Sequence, residues 1–155
     1  MNTIGQQQTI PELINYLSSS RGQVGAAGEL LIARTLEMRG YRVSTSHRQG
    51  RGDLSVINDH GEIFYLEIKT ARRGKDGKYC FTLYKHWQGR VCSDHRHADI
   101  VILLCLLKTG YGVPFVVPVA ELATVSKACI TSYPTSYNGR FAQYRQKLNK
   151  LSIEV

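Results

Sequence analysis

The stretch of residues 52–69 constrains the fold more than any other part of the sequence. Apolar and β-branched residues lie on both sides of the turn-forming run NDHG at residues 58–61, and this pattern predicts two short strands joined by a tight turn. Folding the chain about this turn places residue x opposite residue roughly 120 minus x. Asp53 then lies beside residues 66–68, next to Glu67. An aspartate and a glutamate therefore meet near one end of the predicted hairpin.

A lysine joins these two carboxylates. Because side chains alternate along a strand, Glu67 and Lys69 share one face, while Leu66 and Ile68 lie on the other. Two carboxylates held this close either repel each other or bind a cation. With the lysine beside them, the three side chains form a set suited to hydrolysis.

The strongest helix prediction covers residues 24–39, and Gly40 suits the position directly after a helix end. Glu29 lies in line with the apolar residues of this helix, not on its polar side. An acid in that position is either half-exposed or committed to a cation. The predicted face consists of Glu29, Ile32, Ala33 and Leu36.

Four further strands are predicted, at residues 41–45, 79–83, 99–107 and 113–119. The run 99–107 is almost continuously apolar, which is typical of a central strand buried on both faces. Pro114 and Pro118 indicate that 113–119 is an edge strand. A helix, then several strands, then a helix predict an α/β or α+β fold, with one mixed sheet flanked by helices.

The C-terminal part is predicted to be helical. A short helix is expected over 121–127, and a longer one begins at Asn138-Gly139. The apolar stripe of the longer helix, which either docks on the core or forms a dimer contact, consists of Phe141, Tyr144, Leu148 and Leu151.

The size and composition predict one domain over residues 23–155, preceded by a polar extension over residues 1–22. The four cysteines form no CxxC pair, which fits a reducing cytosol, and the first residues do not have the pattern of a signal peptide. We therefore expect a cytoplasmic protein that does not bind membranes.

A net charge of +8 favours an anionic partner, with nucleic acid first. Basic residues in two glycine-containing loops flank the acidic cluster, where they could hold phosphates. We expect a DNA-binding role for Arg48, Arg51, Arg72, Arg73 and Lys75.

The combined pattern resembles the PD-(D/E)XK nuclease superfamily, which has the restriction-endonuclease-like fold. Glycine stands at residue 52, where the family name has proline. The resemblance covers about residues 24–119, and Asp99-Ile100-Val101 fits a later strand of the family core. The residues that carry it are Glu29, Gly52-Asp53 and Leu66-Glu67-Ile68-Lys69.

This resemblance implies a metal-dependent DNA endonuclease with Mg²⁺ or Mn²⁺ as cofactor. Asp53, Glu67 and the Ile68 backbone carbonyl would be metal ligands, Lys69 the catalytic lysine, and Glu29 an auxiliary acid that reaches the metal, through water or directly. Taken separately, these residues have plainer explanations, such as a strand start or a surface ion pair. Their occurrence together in a basic chain favours the nuclease.

The substrate stays open at this point. The similarity is greatest to Holliday-junction-resolvase-type nucleases, which implies branched DNA, and a homodimer would supply one site for each strand. The segment 67–72, with 117–119, also looks like the endonucleases associated with group I introns, which implies a site-specific duplex endonuclease of homing or restriction type. An alternative of another class is a non-catalytic DNA-binding module.

A zinc site is a weaker hypothesis. The spacing Cys92-x2-His95-x-His97, with Cys80 and His86 nearby, is not that of a zinc finger, and no second paired half exists in the sequence.

Overall fold

The structure is a computed structural model that describes residues 21–45, 52–87, 90–93, 98–131 and 133–145. Within these ranges one α-helix precedes a five-stranded sheet and two separate two-stranded sheets. No helix in the described ranges is both long and apolar enough to cross a lipid bilayer. The elements in chain order are α1 (Arg21–Met38), β1 (Arg42–Thr45), β2 (Leu54–Ile57), β3 (Ile63–Arg72), β4 (Tyr79–Thr82), β5 (Tyr84–Trp87), β6 (Arg90–Ser93), β7 (Ile100–Leu106), β8 (Gly112–Pro118) and β9 (Lys127–Ile130).

Helix α1 ends as its sequence predicts. Gly40 has φ of 91°, a conformation that glycine adopts without the steric cost of a Cβ atom. Its N–H donates to the Glu37 carbonyl, and the Tyr41 N–H donates to the Leu36 carbonyl. This pair of hydrogen bonds is the Schellman motif, which satisfies the last carbonyls of a helix. The chain therefore turns sharply into β1.

The central sheet has the strand order β1-β2-β3-β7-β8. Strands β3 and β7 are parallel, and the other neighbours are antiparallel. Leu54 pairs with Leu66, so the hairpin has the predicted register. The sheet is mixed, and with α1 against it the fold is of the predicted mixed α/β type.

The two faces of this sheet belong to two apolar clusters. On one face, α1 packs through Ile32 and Leu36 against Phe64, Leu66 and Ile68 of β3. On the other face, alternate residues of β7 and β8 pack against the β4·β9 sheet and the C-terminal segment. Every residue of β7 is buried, which confirms the predicted central strand.

The strand with the two prolines lies at an edge, as predicted. Strand β8 is last in the sheet, with Pro114 paired opposite Leu104 of β7. Because a proline cannot donate a backbone hydrogen bond, it is tolerated at an edge. Beyond β8, Arg145 forms a single antiparallel bridge to Phe115.

Two helix predictions in the C-terminal part are wrong where the structure describes them. In place of a helix over 121–127, a 3-10 helix spans Val119–Leu122 and β9 begins at Lys127. The last predicted helix begins only as a 3-10 turn over Ala142–Tyr144, and Arg145 has an extended conformation. Phe141 is buried in the core, whereas Leu148 and Leu151 lie outside the described residues. Pairing with β8 at residue 145 outweighs local helix propensity there.

A glycine sets the distance between α1 and β3. A Cβ atom at Gly28 would overlap the side chain of Thr70, whose Cγ2 atom would lie 3.0 Å away. A Cβ atom at Gly25, one turn earlier, would meet nothing within 4 Å. The helix can therefore approach the strand closely only because residue 28 has no side chain.

We expect the Gly28→Ala substitution to destabilise the protein by roughly 1–3 kcal/mol, because the added methyl group forces the helix away from β3. The matched control is Gly25→Ala, which adds the same methyl group to the same helix in open space. It should stabilise the protein by up to about 1 kcal/mol through helix propensity. Urea unfolding of both variants measures the difference, and equal effects of the two substitutions would contradict the tight contact.

Candidate active site

The site is built around Asp53, which directly precedes β2. Its N–H donates to the Leu66 carbonyl at 2.7 Å. Its carboxylate oxygen Oδ2 accepts the Ile68 N–H at 2.8 Å. Asp53 is therefore fixed on β3 through both its backbone and its side chain, beside Glu67, where the hairpin register predicts it.

Gly52 stands where the PD-(D/E)XK pattern that this sequence resembles has proline, and the backbone at this residue does not suit proline. Its φ is 90°, whereas proline is held near −65°. A Cβ atom at residue 52 would lie 2.5 Å from the Leu66 carbonyl oxygen. Only glycine fits, because the chain passes against the backbone of β3 just before Asp53.

Glu67 and Lys69 lie on the face of β3 opposite the buried Leu66 and Ile68, as the alternation predicts. The Lys69 Nζ atom is 3.0 Å from Oε1 of Glu67. Their side chains are only 19% and 13% exposed, so water screens the pair less than it would on an open surface. The lysine therefore partly neutralises the charge of Glu67.

The Ile68 backbone faces the same side as Asp53. Within a strand the N–H and C=O of one residue point the same way, and the Ile68 N–H points to Asp53. Strand β2 begins at Leu54, which pairs with Leu66. The Ile68 carbonyl therefore lies past the end of that ladder, at the edge where Asp53 lies.

Glu29 approaches the same place from α1. It is half-buried, and burial raises the pKa of its carboxyl group above the ordinary value of 4.5. The negative charges of Asp53 and Glu67 raise this pKa further, and the positive charge of Lys69 lowers it. The helix acid thus lies within electrostatic range of all three hairpin groups, as the sequence predicts.

The chemistry of this donor set fits a hard divalent cation, which prefers oxygen ligands. Asp53 and Glu67 influence the charge of Glu29, and the Ile68 backbone lies beside Asp53. In the part of the chain that the structure describes, no group of three or more His, Cys, Asp or Glu side chains is arranged to hold a metal ion. The oxygen donors therefore suit such a cation in kind, but the acidic side chains do not by themselves form a metal site.

The basic residues are placed unequally by the structure. Arg72 ends β3, and Arg73 and Lys75 lie in the exposed loop that follows, so all three come directly after the acidic cluster. The Arg73 Nε donates to the Gly77 carbonyl at 3.3 Å, and its guanidinium group lies 5.7 Å from the ring centre of Tyr133. Arg48 and Arg51 lie outside the described residues.

The residues of the zinc hypothesis are only partly described. Cys80 lies beside Cys129, with the two Sγ atoms 2.6 Å apart. The side chain of Cys92 lies outside the description, as do His95 and His97 entirely.

Sequence reasoning missed the positioning role of Asp99. Its Oδ2 atom accepts the Tyr65 N–H at 2.8 Å, and its own N–H donates to the Tyr65 carbonyl at 2.9 Å. These two hydrogen bonds join the start of β7 to β3 and fix the parallel register of the two strands. The sequence signal for this role was an acidic residue directly before a strand predicted to be buried.

Part of the chain is similar in sequence to known proteins. No model of a known protein family matches the chain. Two curated relatives from two strains of Treponema pallidum, each named UPF0102 protein, are 32% identical over 76 residues, which is 48% of this chain and 60% of the relative. A UPF0102 protein of Alkaliphilus metalliredigens is 34% identical over 67 residues, or 42% of this chain and 57% of the relative. The chain thus spans less than two thirds of the length of these relatives.

A solved structure matches far more of the chain. It is that of a bacterial homing endonuclease, I-Ssp6803I, with a TM-score of 0.68 and 15% sequence identity. The match covers 84% of this chain and 92% of the endonuclease. The chain therefore has the fold of this endonuclease, which confirms the restriction-endonuclease-like, mixed α/β fold predicted from the sequence.

We expect Glu29→Gln to raise the melting temperature of the metal-free protein at pH 7 by a few degrees. The pKa of Glu29 is raised in the folded state, so protonation of this carboxyl stabilises the fold. This stabilisation is complete below the ordinary pKa of 4.5, and it is lost as the pH rises through the folded-state pKa. A neutral amide at residue 29 removes that loss of stability. The gain is smaller than the full electrostatic effect, because solvent already screens part of it.

Thermal unfolding of both proteins in EDTA, at pH 7 and at pH 4, measures this effect. The difference in melting temperature should shrink at pH 4, where the wild-type carboxyl is mostly protonated. An equal difference at both pH values would show that charge at residue 29 is not the cause.

Proposed function

We propose that this protein is a metal-dependent DNA endonuclease that hydrolyses phosphodiester bonds at the end of the β2–β3 hairpin. The observation that carries the proposal is the convergence of Glu29 with Asp53, Glu67 and Lys69. The charges of these three residues all affect the pKa of the Glu29 carboxyl group. Three acids and one lysine thus influence one another's charge, and carboxylate oxygens are the ligands that a hard divalent cation prefers.

Asp53 and Glu67 are the proposed ligands of Mg²⁺ or Mn²⁺, with the Ile68 carbonyl as a further oxygen donor. A divalent cation held there would neutralise the charge of the phosphodiester and acidify a water molecule. The hydrogen bond from the Ile68 N–H to Oδ2 of Asp53 fixes the direction in which the other carboxylate oxygen points. The strand backbone thus orients the ligand before any cation binds.

Lys69 and Glu29 have different proposed roles. The Lys69 ammonium group, 3.0 Å from Glu67, would donate hydrogen bonds to the attacking water or to a phosphate oxygen. Glu29 would hold a water molecule from the helix side, because its carboxyl is half-buried and faces the hairpin acids. Its raised pKa makes its carboxylate a stronger base than an ordinary glutamate.

We expect Asp53→Asn and Lys69→Ala each to lower the cleavage rate by at least about 100-fold, the usual scale for a lost catalytic group. The matched control is Glu62→Gln on the same hairpin. The Glu62 carboxylate accepts from Asn58 at 2.6 Å at the turn, away from Asp53, so its loss should leave the rate unchanged.

The assay uses labelled four-way junction, duplex and single-stranded DNA, with Mg²⁺, Mn²⁺ or EDTA. Cutting that requires metal and is lost in both variants supports the proposal. Metal-dependent cutting that survives both substitutions would refute the assigned site. Tight DNA binding without any cutting would favour the non-catalytic DNA-binding module instead.

The loop after β3 is the proposed phosphate-binding surface. Arg72, Arg73 and Lys75 follow Lys69 within six residues, so a nucleic-acid backbone bound there would lead towards the acidic cluster. Such contacts position the substrate without reading its sequence. Arg48 and Arg51 are proposed to do the same from the loop before Asp53.

We expect Arg73→Ala combined with Lys75→Ala to weaken binding of every DNA and to reduce the slope of log affinity against log salt by about 2, since each lost phosphate contact contributes roughly 0.9. Arg39→Ala is the control, because Arg39 is exposed at the far end of α1. Fluorescence anisotropy from about 50 to about 200 mM salt, a range chosen for its sensitivity to counterion release, measures the slopes. A change about half as large in the control, which loses one positive charge instead of two, would point to net charge alone.

Branched DNA is the proposed substrate form, since the sequence resemblance is greatest to Holliday-junction-resolvase-type nucleases. A homodimer would then supply one site for each of two strands. A site-specific duplex endonuclease is the second candidate. It is favoured by the match to a homing endonuclease and by β5 and β6, which form a two-stranded sheet of their own of a kind that fits the major groove. Cutting of one duplex sequence in preference to junctions would decide for the second candidate.

A further inference from the structure

Cys80 and Cys129 lie directly opposite each other in the two-stranded β4·β9 sheet. They are a matched pair in its antiparallel register, and their Sγ atoms are 2.6 Å apart. Opposed residues of an antiparallel ladder have Cα atoms about 4.5–5.5 Å apart, which lies within the range that a disulfide bridges. No backbone movement is needed to join them.

Both thiols face outwards. Their ladder neighbours on the other face, Tyr79 opposite Ile130 and Phe81 opposite Ala128, are buried in the core. Alternation therefore turns both cysteines away from the core, and each is half-exposed. A dissolved reagent can reach the pair, whereas Cys105 is buried in β7.

We propose that Cys80 and Cys129 form a reversible disulfide by exchange with a small-molecule disulfide such as oxidised glutathione. The proposal is independent of the nuclease function, and it concerns groups that the candidate active site does not use. The two cysteines are 49 residues apart in sequence, so the bond closes a long loop of the chain. Bonds of this kind stabilise chiefly by restricting the unfolded state.

The exchange takes place in two steps. A thiolate of the pair attacks one sulfur of the oxidised glutathione, the glutathione S–S bond breaks, and one glutathione thiolate leaves. The second thiolate then attacks the protein sulfur of this mixed disulfide and expels the other glutathione. Two protein thiols are oxidised, one small disulfide is reduced to two thiols, and each departing thiolate takes up a proton that a cysteine has lost.

The surroundings of the pair make the disulfide slow to form. The hydrogen bond between the two sulfurs raises the pKa of the Cys80 thiol, and burial raises it further. Few thiolates form at neutral pH, so oxidation is slow.

The bond would also act on the basic loop. Strand β4 directly follows the loop that contains Arg73 and Lys75. Strand β9 leads to Tyr133, whose ring lies against Arg73. A covalent link between β4 and β9 therefore fixes the base of the basic loop to the segment that its arginine contacts.

The test uses the purified full-length protein in glutathione buffers that range from fully reduced to mostly oxidised. Free thiols are then alkylated, and peptides are identified by mass spectrometry. We expect a linked peptide pair containing Cys80 and Cys129, two hydrogen atoms lighter than the separate peptides. Thermal unfolding of the oxidised protein should show a melting temperature roughly 5–15 °C higher, reversed by dithiothreitol.

The variants decide whether these two residues are responsible. Cys80→Ser and Cys129→Ser should each abolish both the linked peptides and the rise in melting temperature. Cys92→Ser, a control on β6, should keep both. The proposal is overturned if glutathione adds only singly to each cysteine, if Cys92→Ser removes the link, or if the link forms but lowers the melting temperature.

Discussion

Asp53 connects the architecture of this protein to its chemistry through two hydrogen bonds. Its backbone N–H, bound to the Leu66 carbonyl, closes the ladder between β2 and β3. Its side chain, bound to the Ile68 N–H, takes the position that a further residue of β2 would occupy in the ladder. Because a carboxylate takes that place, the ladder between β2 and β3 ends at the pair Leu54 and Leu66. The Ile68 backbone and the ion pair of Glu67 and Lys69 therefore lie just beyond the end of this ladder.

The clustered acids of this site destabilise the fold, and packing elsewhere in the protein offsets this effect. Glu29 loses hydration and lies near two other acids, an arrangement that disfavours the charged form of Glu29. The compensation comes from close packing behind it, where α1 contacts β3 at Gly28 and Thr70. A cation would convert the repulsion into attraction, which is how clustered acids persist in folded proteins. The metal-free fold is thus less stable than its core alone would allow.

Local sequence patterns predicted the parts of the fold that depend on nearest neighbours. The turn at 58–61 and the alternation of residues 64–69 determined the hairpin register, and the apolar run of β7 determined its burial on both faces. Pairing between distant segments could not be predicted in this way. Strand β9 pairs with β4 across a long stretch of chain, and Arg145 bridges to β8, so tertiary contacts overrode the helical pattern of these segments.

The parallel register of β3 and β7 has a consequence for insertions and deletions. Seven consecutive residue pairs, from Leu66 opposite Ile100 to Arg72 opposite Leu106, join the two strands. One residue added within β3 would turn every later side chain to the opposite face, so Lys69 would enter the apolar cluster beneath α1. Extra residues in the exposed loop at 73–78 change no such pairing. A change in the length of this loop therefore leaves the strand register intact, whereas a change in the length of β3 does not.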